Sequence, residues 1–221
     1  MKLSVRNSAI LSLSALIWIG PLAAQQGDRL AAMMAENNKL LRQYTYKQRT
    51  EVMFKGEDRI VRINQVRFDP DGKRQLTLIS ETGGESKLGS HIPAIAKKRE
   101  EMKDYVMRLS ALVEQYFPVD PSKIQALLPN AEIAPAGNLM SIKLRNYLKK
   151  GDSISLLLDP ATRKLSRVEL STVLDKDSVS MSTDMTAAPN GPNYPSLTTI
   201  KSPSKNLEIR ISAYEIQKAQ G

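Results

Sequence analysis

The chain has 221 residues, room for one large domain or two small ones, and its 41% hydrophobic and 25% charged content is that of an ordinary globular protein rather than a disordered one. It carries 32 Lys and Arg against 23 Asp and Glu, a formal charge of +9. With no cysteine and a single histidine, His91, it has no means of building a disulfide scaffold, a thiolate metal site, a cysteine nucleophile or a multi-histidine metal centre.

The first segment reads as an address. Lys2 and Arg6 give a basic start, Ala9 to Ile19 is an apolar run, Gly20-Pro21 breaks it, and Leu22-Ala23-Ala24 ends in small residues. This is the order of a secretory signal peptide. The run is shorter than the roughly 20 residues that cross a bilayer. An uncleaved anchor helix is the alternative. The expected organisation is a signal peptide over 1–24, cleaved near Ala24, and one exported domain over 25–221. A basic exported protein suits an anionic membrane surface or an acidic partner. Nucleic acid is not expected, because Phe54, Phe68 and Phe117 are too scattered for a base-stacking platform.

Asp28 is placed to cap a helix through Leu30, Met33, Met34, Leu40 and Leu41. The period then becomes two: Tyr44, Tyr46, Gln48, Thr50, Val52 and Phe54 share one face of a strand. A second strand is expected over 59–68, a turn at Asp69-Pro70-Asp71-Gly72, and a third strand over 74–80. Residues 81–97, with Gly83-Gly84, Gly89-Ser90 and Pro93, read as a mobile loop carrying His91.

The clearest helix runs from Lys98 to Phe117. Met102, Tyr105, Val106, Leu109, Leu112, Val113, Tyr116 and Phe117 form one wide apolar stripe. Charges of both signs occupy the other face, which favours a helix lying on its own protein over one lying on a membrane. Pro118 and Pro121 stop it, and a short helix over 122–128 follows. From Leu139 onward every segment alternates: Met140, Ile142 and Leu144, then 154–158, 165–174 with Val168 and Leu170, 179–185, 194–200 and 207–213. That makes nine strands. Most connections are shorter than the dozen residues a parallel crossover needs, so the sheet should be antiparallel, with one wet and one apolar face. A strongly twisted sheet of this size curls.

The chemistry inventory is thin. Gly83-Gly84 lacks the Lys-Ser/Thr of a phosphate loop, and no serine sits in a nucleophile-elbow context. Turn chemistry accounts for Asp69, Asp71, Asp175 and Asp177. No catalytic residue, metal ligand or cofactor is expected, and no enzymatic activity. What remains is a container: a curled apolar face with helices to cover it. Burying one methylene of a guest gives about 0.8 kcal/mol, so ten would give about 8 kcal/mol before entropic costs. The expected ligand-binding wall is Met140, Ile142, Leu144, Val168 and Leu170 on the sheet, with Met102, Val106 and Leu109 on the helix. Methionines 33, 34, 102, 140, 181 and 185 could line such a site or fill an ordinary core.

The order of elements, and the stretches Tyr44–Ser80, Leu158–Leu170 and Tyr194–Ile211, resemble the LolA-like superfamily, which includes periplasmic carriers of outer-membrane lipoproteins and outer-membrane lipoprotein-sorting proteins. The resemblance implies an α+β, mainly β fold: a curled antiparallel sheet, or unclosed β-barrel, of about nine to eleven strands with a helical lid. It implies a cavity for lipid or lipoprotein acyl chains, and an envelope membrane or protein acceptor as partner. It also implies an arginine near the early strands that holds the lid, for which Arg49, Arg62 and Arg67 are candidates. An envelope sensor that reports a ligand to a partner protein is the alternative. The first expectation to check is export: N-terminal sequencing of the exported form should begin at about Gln25, and a full-length cytoplasmic product would contradict the leader.

Overall fold

The period-two segments become one antiparallel sheet of ten strands. In the computed structural model, which describes residues 20–55, 58–83, 93–162 and 164–219, they are β1 (Tyr44–Phe54), β2 (Asp58–Phe68), β3 (Arg74–Thr82), β4 (Glu132–Ala136), β5 (Leu139–Arg145), β6 (Ser153–Leu158), β7 (Leu165–Leu174), β8 (Asp177–Ala187), β9 (Asn193–Ser202) and β10 (Leu207–Lys218). Three α-helices accompany them: α1 (Gly20–Leu41), α2 (Pro93–Glu114) and α3 (Pro121–Leu127). The fold is mainly β and the sheet does not close.

The spatial order is β3-β2-β1-β10-β9-β8-β7-β6-β5-β4. Every neighbour is consecutive in sequence except at one seam, where β1 pairs with β10 and sets Thr50 opposite Ile211 and Val52 opposite Ile209. The two ends of the sheet are therefore β3 and β4, strands that the chain joins through α2 and α3. That connection must travel from one edge of a curled sheet to the other. Crossing the concave side brings its apolar stripe onto the apolar face of the sheet, so topology and hydrophobicity place the helices together.

The concave face is divided. On the β4–β8 side, Ile142, Leu144, Ile154, Leu156, Val168 and Leu170 join Leu30 and Met34 of α1, Leu109 of α2, Tyr116 in the turn that follows it and Ile124 of α3 in one buried cluster. Opposite lies the β8–β10 and β1–β3 side, which the helices cover only partly. The convex face is polar and solvated, with ion pairs between directly opposed residues. Arg167 faces Asp184 there and its Nε donates to Oδ1 at 2.6 Å, and on the other face Arg62 is set opposite Glu81 in the same way. Such exposed pairs specify register more than they stabilise.

Two buried tyrosines pin α2. The Tyr116 hydroxyl donates to Asp152 Oδ2 at 2.7 Å and lies 2.9 Å from Thr172 Oγ1. Tyr105 lies 2.7 Å from Ser202 Oγ, and Arg108 reaches Asp175 at 2.6 Å. Asp152 also accepts the backbone N–H groups of Leu148 and Lys149, both at 3.0 Å.

The edges differ. The β4 edge is five residues long and contains Pro135, which cannot donate to a further strand. The β3 edge is nine residues long, exposed throughout, and presents Leu76, Leu78 and Ile79 to solvent.

Several sequence expectations change. Asp28 caps nothing, because α1 begins at Gly20; its Oδ1 instead accepts from Gln125 Nε2 of α3 at 2.6 Å. A tenth strand, β4, was hidden by its proline and brevity. Residues 81–82 extend β3 and 93–97 open α2, while His91 lies outside the described residues. α2 ends at Glu114, before Phe117, because Pro118 and Pro121 disfavour helical geometry upstream of them.

Burial pushes the Tyr116 phenol up from its ordinary 10.0 to about 12, with Thr172 pulling the other way. A raised phenol stabilises the fold fully below pH 10 and loses that contribution as pH climbs toward about 12, where the unfolded chain already ionises. Tyr116→Phe should cost about 1–3 kcal/mol in urea denaturation at neutral pH, since it strips a donor from a buried carboxylate. The same variant should lose stability less steeply than the parent between pH 10 and 12.

Candidate functional site: a groove between the sheet and the second helix

The wide apolar stripe of α2 is two adjacent lines. Tyr105, Leu109 and Tyr116 turn into the packed core. Met102, Val106 and Val113, continued by Phe117, turn toward the partly covered half of the sheet. Between that second line and the sheet lies a groove of about 960 Å³. Its floor is built by Tyr46, Gln48, Thr50, Val52 and Phe54 of β1, Ile60 and Asn64 of β2, Met181 and Thr183 of β8, Thr198 and Ile200 of β9, and Ile209 and Ile211 of β10. The β1–β10 seam runs through it, so the groove joins strands from the two ends of the chain.

The floor is apolar with a polar thread. Gln48 Nε2 donates to Thr50 Oγ1 at 3.2 Å, and the Thr183 and Thr198 hydroxyls lie 3.0 Å apart. The Tyr46 phenol is raised by burial, and the charge and hydrogen bonding of Arg74 draw it partly back. Arg62, Arg74, Lys98, Lys103, Glu100 and Glu114 stand around the groove. Arg74 Nη2 is 3.9 Å from Glu114 Oε1, which links β3 to α2. A smaller cavity of about 290 Å³, lined by Met33, Met34, Leu40, Leu165 and Met185, shares Phe117 with the groove. A shallow depression of about 560 Å³ on the convex face is lined mainly by serines of β6, β7 and β8.

Reactive constellations are sparse. Among the described residues no three His, Asp or Glu stand close enough to hold a metal ion. Asp69 accepts from the Lys73 N–H at 2.8 Å and from Gln75 at 3.0 Å, and these bonds hold its carboxyl below the usual range. Asp177 accepts from Ser204 Oγ at 2.6 Å, and that bond, ahead of Lys205, lowers it likewise.

The structure separates the residues expected to bind ligand. Met102 and Val106 line the groove. Ile142, Leu144, Val168, Leu170 and Leu109 are all in the packed core, Ile142 being 6% exposed. Met140 is exposed near the β4 edge, opposite Pro135 and Leu158. The inward orientation expected for Ile142 and Leu144 is present, but α1, α2 and α3 fill the space above them. The lid arginine expected at Arg49, Arg62 or Arg67 also moves. Arg49 pairs with Glu51 and Arg62 with Glu81, Arg67 is exposed, and the arginine that reaches α2 is Arg74. Sequence does contain a signal for the groove. A face carrying Tyr46, Gln48 and Thr50 is more polar than a closely packed apolar core favours, so it sets this part of the sheet apart from β5, β6 and β7.

Placement divides the expected effects of buried charge. Ile142→Glu should unfold the protein, because its carboxylate would be buried unpaired at a cost of several kcal/mol. Loss of the far-UV circular dichroism signal at room temperature is the expected result, and a folded Ile142→Glu protein would show the β5 side to be a cavity.

No protein-family profile matches the chain, and no curated protein matches its sequence. Solved structures do match its shape. A DUF1329 family protein from Desulfovibrio piger shares 11% identity over 90% of this chain and 94% of the other, with a TM-score of 0.46. An outer membrane lipoprotein-sorting protein domain from Vibrio parahaemolyticus shares 8% over 90% and 94%, with a TM-score of 0.45. A LolA superfamily protein from Nitrosomonas europaea shares 7% over 86% and 94%, with a TM-score of 0.43.

Proposed function

We propose that this chain is a non-enzymatic periplasmic carrier or chaperone that holds lipoprotein acyl chains, or another apolar ligand, in the groove between the sheet and α2. The observation that carries the proposal is the division of the concave face. One half is packed to a close core, while the other encloses about 960 Å³ with Met102, Val106, Val113, Val52, Ile209 and Ile211 around it. That volume is at the upper end for small-molecule sites. Apolar walls left without protein neighbours gain most from an apolar guest, at about 0.8 kcal/mol for each methylene buried. The basic, apolar and small-residue order of residues 1–24 supports export, and the sequence resemblance to the LolA-like superfamily points to the same cargo class.

An envelope sensor is the second reading, and the β3 edge favours it. Leu76, Leu78 and Ile79 are exposed on a strand with a free pairing side, a surface on which a partner protein could add a strand.

Val106→Glu provides the test. Val106 faces the groove, so the charge can reach water and the fold should persist. A neutral apolar dye should bind the variant at least about tenfold more weakly, a change of about 1.4 kcal/mol. Unchanged dye binding by folded Val106→Glu protein would remove the groove as the ligand site.

A further inference from the structure

The charges around the groove are unequal. Four cationic side chains line it, Arg62, Arg74, Lys98 and Lys103, against two carboxylates, Glu100 and Glu114. Arg62 is occupied, since its guanidinium donates to both oxygens of Glu81 at 2.7 and 3.4 Å. Arg74 is different. Its ion-pair partner is Glu114 at 3.9 Å, the outer limit of such a contact, and both side chains are exposed. It also acts on the Tyr46 phenol, which is 4% exposed.

The register gathers these groups. Tyr46 pairs with Val66 and Val66 with Leu76, and Arg74 is two residues before Leu76 on the same face. Asn64, two residues from Val66, lines the groove too, and its amide has no hydrogen-bond partner among the described residues. A guanidinium and the phenol it acts on thus stand toward one end of an otherwise apolar groove, with the Asn64 amide further along the same strand face. A hydrocarbon guest would offer nothing to a guanidinium whose carboxylate partner is as far as 3.9 Å away. An anion would satisfy it, because a guanidinium fork matches the paired oxygens of a carboxylate or phosphate.

We propose that the groove takes an amphiphile with one anionic head, the head held by Arg74 beside the Tyr46 hydroxyl, and the chain lying along Val106 and Met102 over Val52. This deepens the carrier proposal and rests on it. The shared head chemistry is a carboxylate or a phosphate, and the chain supplies the apolar burial.

The test is displacement of a neutral apolar dye from the purified protein by lauric acid, lauryl phosphate and lauryl alcohol. Either or both anions should displace the dye at concentrations at least about tenfold below the alcohol, and the more potent anion identifies the head. Arg74→Gln should erase that preference and leave displacement by the alcohol unchanged, while Arg74→Lys should keep part of it. Equal potency of both anions and the alcohol on the parent protein, or a preference that survives Arg74→Gln, would overturn the anionic head and leave the apolar groove standing. Failure of the parent protein to bind the dye would instead overturn the carrier proposal itself, and the head site with it.

Discussion

Two buried tyrosine hydroxyls, Tyr116 on Asp152 and Thr172 and Tyr105 against Ser202, set the rotation of α2, and the groove depends on that rotation. A helix held by apolar contacts alone could roll, since its stripe is wide enough to bury several faces equally well. Directional hydrogen bonds in a low-dielectric interior remove that freedom. With Tyr105 and Tyr116 fixed, Leu109 follows into the core, and Met102, Val106 and Val113 are turned to the other side. The polar network thus separates a filled half of the concave face from an open one.

This arrangement also explains why the open half tolerates polar residues. Gln48 and Thr50 satisfy each other, as do Thr183 and Thr198, so the floor is not a row of unpaired groups. It is nevertheless less apolar than the wall formed by β5, β6 and β7. Those strands place Ile142, Leu144, Ile154, Leu156 and Val168 against helices, where any unpaired polar atom would be costly.

Much of the fold was legible because alternation is a local signal. The strand face of Tyr46, Gln48, Thr50, Val52 and Phe54 is the groove-facing one, and the stripe of α2 is present from Met102 to Val113, with Tyr116 and Phe117 in the turn beyond it. The short β4 with its proline gave no such alternation. The site was legible only in part, because what divides it is not local. Nothing within Met140–Leu144 reveals that α1 and α3 cover that wall, and nothing within β10 reveals that β1 lies beside it. Met102 and Val106 line the groove and share a stripe with Leu109; that Leu109 turns the other way depends on Tyr105 and Tyr116 finding partners on β9, on β7 and in the turn before β6. Arg74 was not among the arginines singled out, since its reach across to Glu114 depends on where the chain crosses.

The β1–β10 seam has a consequence for how the protein comes into being. It joins strands from nearly opposite ends of the described chain, and closing so long a loop carries the largest entropic cost of any pairing in the sheet. The run from β4 to β10 can assemble hairpin by hairpin, but β1, β2 and β3 can dock only once β10 exists. Non-local pairing of this kind slows folding. The groove lies across the seam, with Val52 on one side and Ile209 on the other. A chain in which β10 has not yet formed therefore has no groove, whatever else has folded. The groove comes into being only when the first and last strands of the sheet meet.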